Sequence, residues 1–407
     1  MNIKLQKSTL HQKSTIAVTG SKSESNRLLL LQALYANISI KNISNSDDAT
    51  LMQKALKSSD AIKDIHHAGT AMRFLTAYYA TQNGEEITLT GSSRMQERPI
   101  KILVKALRQL GANIQYTKND GFPPLQIKGR KLRGSNVSLA ANVSSQYISA
   151  LLLIAPTLEN GLTLTLDGKI TSIPYINMTL SLLNDLGVQT NFEGNTIKVA
   201  RFEATKEAKA FTVESDWSSA SYFYSLIALS EIGTTTELSS YKQNSLQGDS
   251  CLAEIYQEFG VETTFSNHTI TLIKKQQPST SSIKLDLKNA PDIAQTIAVT
   301  AFGLQLSCEM IGLHTLKIKE TDRLVALKTE LEKLGASVDI TEESLYLHEA
   351  TQIHENITIA TYKDHRMAMA FAPLALRVPL EIEKADVVSK SYPDFWKDLE
   401  KIGVEMK

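Results

Sequence analysis

A chain of 407 residues is long enough for two or three domains with large apolar cores, so it needs no disulfide or metal staple. Lys plus Arg and Asp plus Glu number 43 each, and the zero formal charge argues against a dedicated binder of nucleic acid or anionic membrane. The longest apolar run, 147–156, is too short to span a bilayer, and Cys251 and Cys308 lack ligand spacing and read as reduced thiols.

In chain order, alternating apolar and polar residues predict strands at 16–20, 86–91, 161–168, 195–200, 269–273 and 344–348. Between them one phrase recurs: apolar residues at helical spacing, a Gly, then alternation. It occupies 106–116, 182–192, 255–265, 330–340 and 398–406. This is a helix closed by a Gly cap and followed by a strand. The glycines are 111, 187, 260, 335 and 403, and a degenerate copy lies at 55–62. The chain therefore reads as α/β, built from about six related units of roughly 70 residues.

Seven helix starts carry unusual polar residues: 20–27, 66–73, 143–146, 214–221, 289–296, 319–323 and 364–366. Plain N-capping explains their serines, threonines and aspartates. It does not explain Lys22, Arg27, Arg73, Lys319, Arg323 and Arg366, because the helix dipole disfavours cations there. Helix ends combined with Lys and Arg make anion sites, and converging ends suit a ligand with several negative charges. Other phosphate motifs fail. Thr15 stands where a Walker A sequence needs its first Gly, and no G-x-G-x-x-G follows a strand. His66 and His67 are adjacent and cannot share a helix face, Met367 and Met369 read as core, and for His365 a structural hydrogen bond stands beside a chemical role.

The motifs GSKSESNR, AGTAMR, RMQERP, SSQYISALLL, SIPYINMTL, DWSSASYF, PDIAQTIA, KETDRL, DHRMAMAF and SKSYPDFW, in this order, resemble those of the 5-enolpyruvylshikimate-3-phosphate (EPSP) synthases, members of the enolpyruvyl transferase family. The resemblance covers nearly the whole chain. It implies a two-domain fold, each domain three βαβαββ units around a pseudo-threefold axis. One domain would be 20–213 and the other 1–19 plus 214–407, with two chain crossovers as a hinge and closure on ligand. The implied reaction moves the enolpyruvyl group of phosphoenolpyruvate to the 5-hydroxyl of shikimate 3-phosphate and releases phosphate. The implied partners are those two small molecules, with no cofactor, metal, nucleic acid or membrane, in a cytoplasmic monomer.

Carried over by position, Lys22, Asp292 and Glu320 are the catalytic set. Lys22, Ser23, Arg27, Ser144, Ser145, Gln146, Ser172, Tyr175, Asp292 and Lys319 would hold shikimate 3-phosphate. Lys22, Gly69, Arg98, Gln146, Arg323, Arg366 and Lys390 would hold phosphoenolpyruvate. The chain departs from the family pattern at His67, Phe74, Ile173 and Thr315, and the stretch 48–66 is short by a strand pair. Two rivals remain at this point. UDP-N-acetylglucosamine enolpyruvyl transferases share the donor but carry a reactive cysteine in a Gly-rich lid. A non-catalytic anion or RNA binder would use the same cations, although aromatic residues make up only 6% and are not interleaved with basic runs.

Overall fold

The computed structural model describes residues 1–141, 144–168, 170, 173–203 and 207–407. They form two compact units, one of Gly20–Val213 and one of Met1–Thr19 with Glu214–Lys407. A single motif recurs in both: strand, helix, strand, helix, then a hairpin.

In the unit Gly20–Val213 the motif is complete twice. One copy runs through Ile62–Asp64, Gly69–Thr81, Glu86–Thr90, Lys101–Gln109, Asn113–Tyr116 and Leu125–Lys128. The opening strand lies parallel to Glu86–Thr90, which pairs antiparallel with Leu125–Lys128, with Asn113–Tyr116 outermost. The next copy repeats this with Asn136–Ala140, Ser145–Ile154, Leu162–Asp167, Ile173–Leu186, Thr190–Glu193 and Thr196–Val199. A third copy is cut short. Its helices are Lys22–Leu34 and Asp47–Lys57, and its strand Ile38–Lys41 pairs in parallel with Lys209–Thr212 from the far end of the unit. The chain then passes through 58–61 straight into Ile62–Asp64, so this sheet has two strands. The short stretch noted in the sequence is this missing hairpin.

The other unit borrows strands in the same way. Lys13–Ile16 lies parallel to Thr235–Ser239 and opens a copy with Trp217–Leu229, Leu252–Ile255, Val261–Ser266 and Thr269–Lys274. The second copy is Ser282–Asp286, Ala294–Gly303, Ser307–Ile311, Arg323–Lys333, Val338–Ile340 and Leu345–Leu347. The third is Ile357–Ile359, His365–Phe371, Leu380–Ile382 and Phe395–Lys401. Its sheet is finished by Ile3–Leu5, paired antiparallel with Leu380–Ile382 and bridged at Leu5 to Met406.

Two helix types follow from composition. Most first helices are apolar nearly all round and therefore buried, as in Trp217–Leu229 and Ala294–Gly303, whereas Lys22–Leu34 is polar over its first half and buries Glu24, Asn26 and Arg27 as well. In one unit Lys22–Leu34, Gly69–Thr81 and Ser145–Ile154 pack on one another. The second helix is amphipathic: Lys101–Gln109 buries Leu103, Val104, Ala106 and Leu107 and exposes Lys101, Lys105 and Arg108. Where such a helix leads into a hairpin, the predicted Gly turns the chain at φ 102° (Gly111), 106° (Gly187), 77° (Gly260), 101° (Gly335) and 108° (Gly403). At Gly260 a Cβ would also strike the carbonyl of Gln276.

Two local expectations need correction. The strand expected at 16–20 is Lys13–Ile16. Its pairing ends at Ile16 opposite Leu238, and the carbonyls of Val18 and Thr19 are taken by Ser215 Oγ (2.6 Å) and Asp216 N (3.2 Å) instead. The helix expected before Gly260 is one turn, Leu252–Ile255, followed by irregular turns.

Candidate functional site

Within Gly20–Val213 the predicted residues gather at the starts of the buried helices. Lys22 and Ser23 open Lys22–Leu34, whose N-cap Ser21 accepts from Glu24 N. Gly69 opens Gly69–Thr81, and its missing side chain makes room for the Arg98 guanidinium, which a Cβ would strike. Ser144 caps Ser145–Ile154, and Gln146 reaches across to Thr70 Oγ1 at 3.3 Å, tying two helix starts together. Ser172 lies outside the described residues.

Arg27 is 2% exposed and holds this arrangement from within. Nε donates to Thr179 Oγ1 (2.8 Å), Nη1 to the Ser23 carbonyl (2.7 Å), and Nη2 to Ser149 Oγ (2.8 Å) and the Tyr175 carbonyl (3.3 Å). Four of its five N–H groups are thus used inside the unit, leaving one on Nη1. Phe74, one of the departures, is fully buried, with its ring centroid 5.5 Å from the Arg27 guanidinium carbon; the Tyr175 ring lies at 5.9 Å. Burial pulls Arg27 down to about 10, and the carboxylate of Glu24 opposes that.

Two of the cations here lack acidic partners. Among the described residues, neither Lys22 nor the Arg98 guanidinium forms an ion pair or a side-chain hydrogen bond. Arg73 is buried, donates to the carbonyls of Gly69 (3.1 Å) and Pro99 (3.0 Å), and has an unpartnered Nε. Burial, then repulsion from Arg98, pulls it down to about 10. Uncompensated cations beside helix N-termini favour a bound anion.

In the unit of Met1–Thr19 and Glu214–Lys407 the balance is reversed. Arg323 is 2% exposed and serves three carboxylates. Nη1 donates to Asp292 Oδ1 (2.8 Å), Nη2 to Glu320 Oε2 (3.0 Å), and Nε to Asp364 Oδ2 (2.7 Å). Burial disfavours the charge, but Asp364, Glu320 and Asp292 more than offset this and raise its pKa. Asp292 also meets Lys319 at 3.4 Å and Arg366 at 3.5 Å, so three cations face one carboxylate. Arg366 Nη1 donates to the Asp292 carbonyl at 2.8 Å. Lys390 Nζ donates to the carbonyl of Lys363, next to Asp364, at 2.8 Å. Asp292, Lys319, Glu320, Arg323 and Arg366 therefore form one network, with Lys390 beside the segment that carries Asp364.

Sequence reasoning gave Asp364 no role, although it lies in the DHR motif beside Arg366. It also missed Ser218 and Asp249, which only tertiary packing brings to Arg366. The remaining departures are modest. His66 and His67 meet through their Nδ1 atoms at 2.7 Å, with His67 Nε2 3.6 Å from Asp47. Thr315 has a buried, unpartnered hydroxyl, and Ile173 is exposed. Burial raises the thiols of Cys251 and Cys308 to about 12, which makes both poor nucleophiles and unlike a reactive lid cysteine.

Comparison with known proteins places the chain as a whole among related sequences and folds. The family model described as EPSP synthase (3-phosphoshikimate 1-carboxyvinyltransferase) matches residues 53–399. A 3-phosphoshikimate 1-carboxyvinyltransferase of Bacteroides fragilis (strain YCH46) is 47% identical over 97% of this chain and 96% of its own length. That of Haemophilus influenzae (strain ATCC 51907 / DSM 11121 / KW20 / Rd) is 36% identical over 95% and 96%. A solved EPSP synthase from Acinetobacter baumannii shares the fold with a TM-score of 0.82, at 22% identity, over 100% of this chain and 99% of that one.

Proposed function

This chain belongs to the EPSP synthase family and is an enolpyruvyl transferase of the shikimate pathway, and from that premise we propose which of its residues bind and which react. The reaction joins the 5-hydroxyl oxygen of shikimate 3-phosphate to C2 of phosphoenolpyruvate, then expels phosphate. One proton leaves the hydroxyl, one adds to the C3 methylene, and one leaves C3 again as phosphate departs.

The observation that carries the reading is the contrast in charge. Lys22 and Arg98 lack acidic partners; Lys22 opens one buried helix and the Arg98 guanidinium lies against Gly69 at the start of another, where anionic phosphate and carboxylate groups are favoured. With Gly69, Gln146, Arg323, Arg366 and Lys390 they bind phosphoenolpyruvate. Ser23, Arg27, Ser144, Ser145, Ser172, Tyr175 and Lys319, with Lys22 and Gln146, bind shikimate 3-phosphate. For Arg27 the burial supports one direct N–H contact and a larger part in holding Ser23 and Tyr175 in place.

Asp292, faced by Lys319, Arg323 and Arg366, suits a fixed hydrogen-bond acceptor for substrate hydroxyls. Glu320 is more open, its side chain 26% exposed with Oε2 on Arg323, and suits proton transfer to and from the reacting atoms. Lys22 completes the catalytic set as a cation for charge developing on the transferring group. No helix among the described residues is long and apolar enough to cross a membrane, and the reading includes a cytoplasmic monomer.

The test is phosphate release with purified protein. It requires phosphoenolpyruvate and shikimate 3-phosphate together. Folded protein that releases no phosphate with both present would overturn the reading.

A further inference from the structure

A carboxylate with no role in the reading above stands behind Arg366. Asp249 lies in the 3-10 turn Gly248–Cys251 and is 4% exposed. Its Oδ2 accepts the hydroxyl proton of Ser218, in the first turn of the buried helix Trp217–Leu229. The Ser218 oxygen in turn accepts from Arg366 Nη2 at 3.1 Å. The other Arg366 nitrogen is anchored on the Asp292 carbonyl. Ser218 and Asp249 belong to the first copy of the repeat in this unit, Asp292 to the second and Arg366 to the third, so the chain of contacts spans all three.

We propose that Asp249 is a positioning residue for Arg366, acting through Ser218 on the recognition of phosphoenolpyruvate. A serine hydroxyl has one proton and two lone pairs. While the Asp249 carboxylate takes the proton, the lone pairs stay available to Arg366, and its guanidinium is held at both terminal nitrogens. A protonated Asp249 that donates to this oxygen occupies one lone pair and turns the hydroxyl proton away from its carboxyl, toward the Arg366 side, which weakens that anchor. Recognition of phosphate or carboxylate by Arg depends on the orientation of that planar fork. The proposal rests on the assignment of Arg366 to phosphoenolpyruvate.

The surroundings place this protonation within reach. Burial raises the Asp249 carboxyl to about 6; Arg366 pulls it back, Asp292 and Asp216 push it up, and the Ser218 hydrogen bond pulls it down. The neighbouring Cys251 thiol, raised to about 12, stays neutral throughout the range that matters.

The test is kcat/KM for phosphoenolpyruvate at saturating shikimate 3-phosphate, between about pH 5.5 and 8, as the ratio of wild type to variant. The phosphate of phosphoenolpyruvate titrates alike with every enzyme and cancels in that ratio. Asp249→Asn keeps an oxygen that accepts from Ser218. It should stay within about threefold of wild type at pH 8 and lack the wild-type decline near pH 6, so the ratio falls about fivefold toward low pH. Ser218→Ala should raise KM about tenfold across the range, with kcat within about threefold. A pH-independent ratio for Asp249→Asn, or a wild-type KM for Ser218→Ala, would overturn the proposal. Arg366→Lys separates this failure from a failure of its premise. An unchanged KM in that variant would show that Arg366 does not hold phosphoenolpyruvate, and the proposal would fall with it. An impaired Arg366→Lys beside a pH-independent Asp249→Asn ratio would remove the relay alone.

Discussion

Arg323 and Asp364 meet as a buried fork, Nε to Oδ2 at 2.7 Å and Nη2 to Oδ1 at 3.3 Å, with the aspartate fully shielded from solvent. Asp364 Oδ1 also accepts from the backbone N of Arg366 at 2.9 Å, capping the helix His365–Phe371. One carboxylate therefore sets the place of two arginines. Asp364→Ala removes the fully buried fork and the helix cap together, while Asp292 and Glu320 still face Arg323, and should lower stability by about 3–5 kcal/mol. Asp364→Asn, which can still cap, should cost less. Urea unfolding of the two variants checks the order.

Glu320→Gln keeps the size of the side chain and an acceptor for Arg323 but cannot take up a proton at neutral pH. Its kcat should fall by about 10²–10⁴-fold, with substrate affinity nearly unchanged. If Glu320 served only as an anion ahead of the helix start, the variant would lose at most about 1 kcal/mol of stability and keep its turnover. Steady-state kinetics with equilibrium binding distinguish the two.

Gly69→Ala places a methyl group against the Arg98 guanidinium. The obstructed group is the far end of a flexible side chain, so the fold should tolerate the change, with stability within about 0.5 kcal/mol of wild type. The displaced Arg98 should raise KM for phosphoenolpyruvate by about tenfold, since a charge-assisted contact is weakened. A wild-type KM would argue that Arg98 does not contact that substrate.

Asp249 has a direct signature in stability. Its pKa is raised from 3.8 to about 6 in the folded protein, so its contribution is fully present below about pH 4 and is lost as pH rises through about 6. Asp249→Asn removes the charge and should be more stable than wild type at pH 7.5, by about 1–2 kcal/mol after the weaker bond to Ser218 is allowed for. The difference should shrink by pH 4.5. Thermal melts at the two pH values measure it, and an equal or lower Tm for the variant at pH 7.5 would contradict the buried charge.

What the sequence made legible was local. A Gly after an amphipathic helix has one common use, and all five predicted glycines have positive φ. Helices apolar on every face, such as that after DWSSAS, could be read as buried. The truncated first repeat was visible only against the family pattern, as the short stretch 48–66. Long-range pairing was not visible. The strand near residue 16 is placed by residues 235–238, more than 200 positions away. The cations at helix starts looked alike. In one unit they are uncompensated, but in the other Arg323 faces Asp292, Glu320 and Asp364, two of which come from other helix starts. Nothing local to Arg27 in the sequence shows that Ser149 and Thr179 use its donors.

The central claim is a proton added to C3 of phosphoenolpyruvate and later removed, with Glu320 taking part. Turnover in D2O measures this directly, with the vinyl methylene of the product examined by proton NMR. The account predicts deuterium in that methylene, because the transient methyl group gains a solvent deuteron and then loses one of three hydrogens. It also predicts that Glu320→Gln slows incorporation in step with turnover. A product methylene containing only protium would contradict the account.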